Sequence, residues 1–283
     1  MKKSRVRSAA IFAVIVLTSA FGGQYSAGAV EKQAAEIPFV LTGLSAEDET
    51  RLTSLAVSLT ETVRGSQGGI AKQSLATSTT TTKKLVVLDN RGQADVDVSL
   101  NEDGSAEISI VDQANGYALT VFEVRRDSAR GFVVHREAVS AQPPAEGRVI
   151  SPDESIAGRD AFEFLDEQAR FNRFAVLGYC LLFTYAPYKS SGKARARGTV
   201  TSCTTSASVY VDVWLQTWVV SWYLPTANLD DVGTNFAEAK PSSTCYSSNS
   251  HAWRTQTYAS AYFYVSQTSD STGGSGTSIL TCQ

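Results

Sequence analysis

The chain has 283 residues and a mass of 30.3 kDa, enough for one large or two ordinary domains. A hydrophobic fraction of 43% against 19% charged residues supports a real core and excludes a wholly disordered chain. Two histidines (His135 and His251) and no methionine after Met1 leave little material for a His-rich metal site or a Met-rich groove, and the formal charge is only −3.

Residues 1–29 read as a secretory signal. Lys2, Lys3, Arg5 and Arg7 make a positive start, Ala9–Leu17 is apolar, and Ala27-Gly28-Ala29 fits the small-x-small cleavage rule. Nine apolar residues are too few for a bilayer, which needs about 20, so the protein is expected to be secreted and not membrane-spanning. The charge is unevenly divided beyond this point. Residues 30–173 hold 15 Lys+Arg against 23 Asp+Glu, whereas residues 174–283 hold 6 against 5. All four tryptophans and nine of the eleven tyrosines lie in the second part. This shift divides the chain into an acidic domain or pro-region (30–173) and a second domain (174–283).

In chain order, Ser45 caps a helix with acids in its first turn. Leu52, Leu55, Ala56, Leu59 and Val63 keep the helical period, and Gly65 ends it. Ser74–Thr82 is a polar linker or an edge element. Val96, Val98 and Leu100 then alternate with Asp95, Asp97 and Ser99, and Asn101-Glu102-Asp103-Gly104 turns the chain. Strands over Ser105–Val111, Tyr117–Arg126 and Gly131–Val139 complete an antiparallel meander. The acids at 95–103 do not make a calcium loop. With Ser99 at position one, position twelve is Ile110, where a bidentate glutamate is required. They read as a solvated hairpin face. Ser151-Pro152-Asp153-Glu154 starts a second helix, expected to run to about Phe174.

The second part is β-rich. Phe174–Tyr185 is a buried strand or short helix, and Lys189–Gly198 is a basic, flexible bridge open to a protease. Gly198–Thr204, Val209–Tyr223, Trp253–Val265 and Gly276–Cys282 are strands, joined by polar loops. The fold class is therefore an α+β first part, helix plus antiparallel meander, followed by an all-β, disulfide-bonded antiparallel sandwich. Cys180, Cys203, Cys245 and Cys282 form two disulfides, with three pairings open. No C-x-x-C pair supports redox chemistry or zinc, and no cofactor or metal is implied.

One stretch stands out. Val209, Val211, Val213, Leu215 and Val219 take one face of a strand, and Tyr210, Asp212, Trp214, Gln216, Trp218 and Trp222 take the other. Around Tyr258 the division repeats, with Ala259, Ala261, Phe263 and Val265 opposed to Tyr258, Ser260, Tyr262 and Tyr264. An aliphatic inner face and an aromatic outer face follow. The expected binding residues are Tyr210, Trp214, Trp218, Trp222, Tyr258, Tyr262 and Tyr264, and the ligand is extracellular: an envelope polymer, a lipid surface or a protein. Nucleic acid is a poor partner for an acidic chain with one short basic run.

No Gly-x-Ser-x-Gly elbow, His-Glu-x-x-His or P-loop occurs, so no catalytic residue is assigned. Two further functions are weighed: a toxin or inhibitor released from the acidic leader by cutting within Lys189–Arg197, and a carboxylate hydrolase using Asp212. Cys245, the strand opening Trp253-Arg254-Thr255 and the last Cys282 resemble small exported β-sandwich proteins of Gram-positive actinobacteria. In those a cysteine precedes an aromatic-Arg-Thr strand and a last cysteine closes the domain. The resemblance covers roughly the last 100 residues; the group has no common activity, so it implies a fold and a compartment only. The intact mass of the protein recovered from medium is expected to start at Val30 and to gain about four hydrogens on reduction. A start within 189–198 would instead make the first part a pro-region.

Overall fold

A computed structural model describes residues 44–65, 72–78, 82–171, 177–218, 221–222, 225–245 and 249–281. The signal segment, Val219, Tyr223 and Cys282 lie outside them. The described chain is mostly antiparallel β-sheet with two helices and a Cys180–Cys203 disulfide.

Helix α1 (Ala46–Val63) starts where Ser45 Oγ accepts the Asp48 backbone N–H at 3.1 Å. A six-stranded antiparallel meander follows: β1 (Lys72–Ser78), β2 (Thr82–Asp89), β3 (Gly92–Leu100), β4 (Ala106–Asp112), β5 (Ala118–Asp127) and β6 (Gly131–Gln142). The segment expected as a polar linker or edge element, Ser74–Thr82, overlaps the edge strand β1. Alternation sorts the sheet. Val96, Val98, Ile108 and Ile110 turn to one face and pack against Leu52 and Ala56 of α1.

β7 (Glu146–Ile150) leaves the meander and pairs with β8 (Cys180–Ser190). Between them, helix α2 is described over Ala161–Phe171, and its expected end at about Phe174 lies outside the described residues. The helix start expected at Ser151 is not used. Ser151 Oγ instead donates to the Gly178 carbonyl, the Asp153 carboxylate caps Ser155, and residues 149–159 fold back on themselves. Asp160 Oδ1 accepts the N–H groups of Phe162 and Glu163 and is the true cap.

β8 and β9 (Lys193–Thr201) form a hairpin, flanked by β12 (Ala237–Ala239) and β13 (Ser242–Thr244) on β9. This corrects the reading of Lys189–Gly198 as a flexible bridge. Ser191 and Gly192 turn the chain at positive φ, and Arg197, in place of facing water, is 1% exposed. An outer sheet runs in the order β11 (Pro225–Thr234), β10 (Ala207–Thr217), β14 (Ser250–Phe263) and β15 (Thr268–Thr281). β11, β12 and β13 occupy what the sequence suggested were loops. Their polar side chains are tolerated because each strand lies at an edge or pairs with a buried neighbour.

The sheets stack with the β7–β8–β9 sheet in the middle. Cys180, Leu182, Ala196 and Val200 face Val209, Val211, Val213 and Ala261 of the outer sheet. Leu181, Phe183 and Tyr185 face Val111, Leu119 and Val121 of the meander. Burial on both faces explains the unbroken apolar run in β8. Gly198 permits the closest approach, since a Cβ there would lie 2.5 Å from Thr257 Cγ2 and 2.7 Å from Val213 Cγ2. The Cys180–Cys203 bridge ties the start of β8 to the end of β9 and, for its 23-residue separation, contributes roughly 3 kcal/mol by the chain-entropy argument. Cys245 is disulfide-bonded as well.

The meander face that meets the middle sheet is not wholly apolar. Asp97, expected on a solvated hairpin face, is 3% exposed beneath Arg197 and Lys240. Arg197 Nη2 bonds both Asp97 Oδ2, at 3.2 Å, and Glu238 Oε1. Lys240 Nζ reaches Asp97 at 3.0 Å, and Lys84 Nζ reaches Glu238 at 3.1 Å. Burial pushes the Glu238 carboxyl up, but Arg197, Lys84 and Lys240 outweigh it and hold the group well below its ordinary range. Burial and then Glu238 push Asp97 the other way. Nearby, Arg195 Nε lies 3.1 Å from Glu107 Oε2, to which Ser190 Oγ also donates.

Two outcomes are expected. Arg197→Met strands Glu238 and Asp97 in the interior and costs about 3–5 kcal/mol in denaturant unfolding. Glu238 has an ordinary carboxyl value of 4.5 when unfolded and a depressed one when folded. Its contribution is therefore complete above that value and lost as pH falls through the folded one. The stability gap between wild type and Glu238→Gln should accordingly narrow on acidification below 4.5.

Candidate functional site

Strand alternation places the aromatic set as it falls in the sequence. In β10, Val209, Val211, Val213 and Leu215 are buried, while Tyr210, Asp212 and Trp214 look outward and are half-buried. In β14, Ala259, Ala261 and Phe263 are buried, and Tyr258 and Tyr262 are exposed. Tyr264, past the end of the strand, is also exposed. Val265, expected inside with Phe263, is 71% exposed because β14 stops at Phe263 and the alternation ends with it.

Register fixes how these side chains meet. Directly opposed residues of an antiparallel pair share a face, so Asp212 neighbours Tyr258 and Asp230, and Trp214 neighbours Gln256 and Asn228. At one end Trp218 and Trp222 meet edge to face at 5.2 Å, with the Arg254 guanidinium 4.7 Å over the Trp222 ring. Arg254 is held there by Gln216, whose Oε1 accepts from Nε at 2.8 Å and Nη2 at 2.6 Å. At the other end Tyr262 and Tyr264 meet edge to face at 5.5 Å. Ser208 pairs with Tyr262, so the ten residues from there to Trp218 make a track of about 33 Å at the usual strand rise. All seven predicted residues therefore lie along one elongated face.

Asp212 is the chemically unusual member. Its Oδ1 is buried with no side-chain hydrogen-bond donor among the described residues. Burial and then the facing Asp230 push its carboxyl up. Burial and then Asp212 push the Tyr210 phenol up, so the hydroxyl keeps its proton as a donor. The pair offers carboxylate acceptors between aromatic rings, with the amides of Asn228 and Gln256 alongside.

The two histidines do not join this face as a catalytic pair. His135 borders a small cavity of about 220 Å³ beside Glu123 and Arg136, and His251 sits in the second position of β14, opposite Leu280. Asp270 accepts the Ser151 N–H at 3.0 Å, a structural role. A second place escaped the sequence reading. A cavity of about 720 Å³ opens between β2–β3 and the β11–β12 connection, beside the buried ion cluster. Its signal was present as Lys84 in β2 and Asp95 in β3, polar side chains interleaved with apolar ones. An alternating strand gives the same pattern whether its polar face meets water or another sheet.

No protein-family model, curated protein or solved structure matches the chain. No helix among the described residues is long and apolar enough to cross a membrane.

Asp212→Asn removes one of two facing carboxylates. It is expected to raise stability at neutral pH by about 0.5 kcal/mol after screening, read from denaturant midpoints. The raised carboxyl penalises the wild type only while it is ionised, so the gain should fade as pH falls toward the ordinary value of 3.8.

Proposed function

We propose that this is a secreted, non-catalytic binding protein that holds a glycan polymer along the outer face of the β11–β10–β14–β15 sheet. The observation that carries the reading is the track itself: Trp218, Tyr258, Tyr262 and Tyr264, each between 42 and 50% exposed, along the outer sheet face and its ends. Flat rings at this exposure stack on the apolar faces of sugar rings. Asp212, Asp230, Asn228 and Gln256 between them supply acceptors and amides for hydroxyls. The length of the track favours an extended polymer over a small ligand. The carboxylate pair at its centre disfavours an anionic lipid surface, which repels it and which basic residues would attract.

On this reading the chain keeps two parts, an α+β part over 30–173 and a disulfide-bonded sandwich over 174–283, and the resemblance to exported actinobacterial proteins concerns the second part alone. Disulfides suit the oxidising compartment to which the N-terminal segment points. Retention of the acidic part, against its release as a leader, is supported by the ion cluster. Asp97 and Glu107 from the first part are buried against Arg197, Lys240 and Arg195 from the second.

Co-sedimentation with insoluble peptidoglycan, chitin and cellulose tests the reading. The wild type is expected to leave the supernatant with at least one polymer. The Trp214→Ala, Trp218→Ala double variant should bind at least about tenfold more weakly, the equivalent of 1.4 kcal/mol. Equal retention of the variant would sink the reading, as would binding to anionic vesicles and to no polymer.

A further inference from the structure

We infer that the cavity between the meander and the β11–β12 connection is a second binding site, and that it takes a small organic amine: an ammonium group at Asp95 with an apolar body beside Val86 and Phe236. The inference is independent of the glycan reading, since the cavity and the aromatic track share none of the seven aromatic residues.

Size and construction come first. At about 720 Å³ the cavity lies within the range that small-molecule sites occupy. Its walls come from both parts of the chain. β2 and β3 contribute Lys84, Val86, Asp95 and Asp97, and the end of β9 with the disulfide contributes Ser202 and Cys203. The β11–β12 turn contributes Asp231 and Phe236. A disulfide, an ion cluster and two sheets hold these walls, so the site is preformed.

Charge chooses the ligand. Three carboxylates and one ammonium line the cavity. Asp97 is engaged by Arg197 and Lys240, and Lys84 is engaged by Glu238. Asp231 accepts the Glu238 N–H at 2.9 Å. Asp95, like Asp231, is held by neutral donors, and it is the one whose partners are side-chain amides of the cavity wall. Gln93 Nε2 donates to Oδ1 at 2.7 Å and Gln113 Nε2 to Oδ2 at 3.0 Å, and among the described residues no cation pairs with it. Burial pushes its carboxyl up, as expected for a carboxylate short of a counter-ion. The two amides fix the Asp95 carboxylate in place, and each spends an N–H on it, which leaves carbonyl oxygens as acceptors. A wall of carboxylate and carbonyl oxygens wants a donor with positive charge.

Beside this wall the cavity is apolar. Val86 stands opposite Asp95 in register and shares its face. Phe236 is already a cation-binding ring, with Lys84 Nζ 4.4 Å from its centroid. An amine with a compact hydrocarbon or aromatic body meets both halves of the lining. A free sugar or a carboxylic acid does not.

Titration of the full secreted chain with benzylamine, tryptamine and cyclohexylmethylamine tests this by ligand-observed NMR and calorimetry. Benzyl alcohol and benzoate serve as isosteres that change only the charge. Saturable binding of at least one amine, at least about tenfold tighter than the alcohol and the acid, is expected. Asp95→Asn should erase that preference, and Val86→Trp, which puts an indole into the space beside Asp95, should abolish binding. Each variant is first checked for a wild-type thermal transition; if Asp95→Asn does not fold, Val86→Trp decides. Amines that bind no better than their isosteres would overturn the inference, and so would undiminished binding in a folded variant.

Discussion

Arg197 is buried against the meander with its charge intact, and the arrangement of the two halves of the chain depends on how that charge is met. A guanidinium taken out of water is tolerated only with carboxylates at hydrogen-bond distance. Asp97 comes from β3, a hundred residues earlier, and Glu238 from β12, 41 residues later. The three can meet only if the meander, the middle sheet and the strand beyond it dock in one relative position. Lys84 and Lys240 close the cluster from either side. Such a cluster adds little net stability over an apolar contact of equal volume. What it supplies is a docking register, because any sideways slip would leave a charge unpaired in the interior. The acid excess of residues 30–173 is, in part, the complement of buried bases in residues 174–283.

That register decides what becomes a site. The middle sheet is covered on both faces, so it can pack and cannot bind. Its apolar face against the outer sheet leaves that sheet's opposite face open, and there the tyrosines and tryptophans of β10 and β14 collect. On the meander side the packing leaves a gap lined by β2, β3 and the end of β9. The β11–β12 connection closes over the gap and leaves the cavity at Asp95. The track and the cavity thus arise from one stacking order, the first as a face left over and the second as a space between.

Strand periodicity made the aromatic face legible before any tertiary structure. Val209 to Leu215 alternate with Tyr210 to Gln216, and only one face of such a strand can be buried against an aliphatic neighbour. The same rule misled at Asp95 and Asp97. Their alternation with Val96 and Val98 is what a solvated face produces, and what an ion-paired face produces too. The difference lies in Arg197 and Lys240, far away in the chain. Lys189–Gly198 misled for the same reason, since a run of lysine and arginine looks like a linker until its carboxylate partners are known. Ser151 has the side chain of a helix cap but gives its hydroxyl to Gly178, a competition that local signals do not rank.

The sequence by itself determined the α1 boundaries, the meander hairpins from β3 to β6 though not strand β2, the pairwise use of cysteine and the division of β10 and β14 into an aliphatic and an aromatic face. These follow from capping, turn chemistry and the two-residue strand period, all of which act within a few residues. Tertiary structure alone decided that Arg197 of the basic hairpin is buried, which cysteine pairs with Cys180, that Asp212 faces Asp230, and that a cavity forms beside Asp95. Each of these sets residues tens of positions apart side by side. Charge pairing and sheet stacking are properties of the folded whole, and no local pattern encodes them.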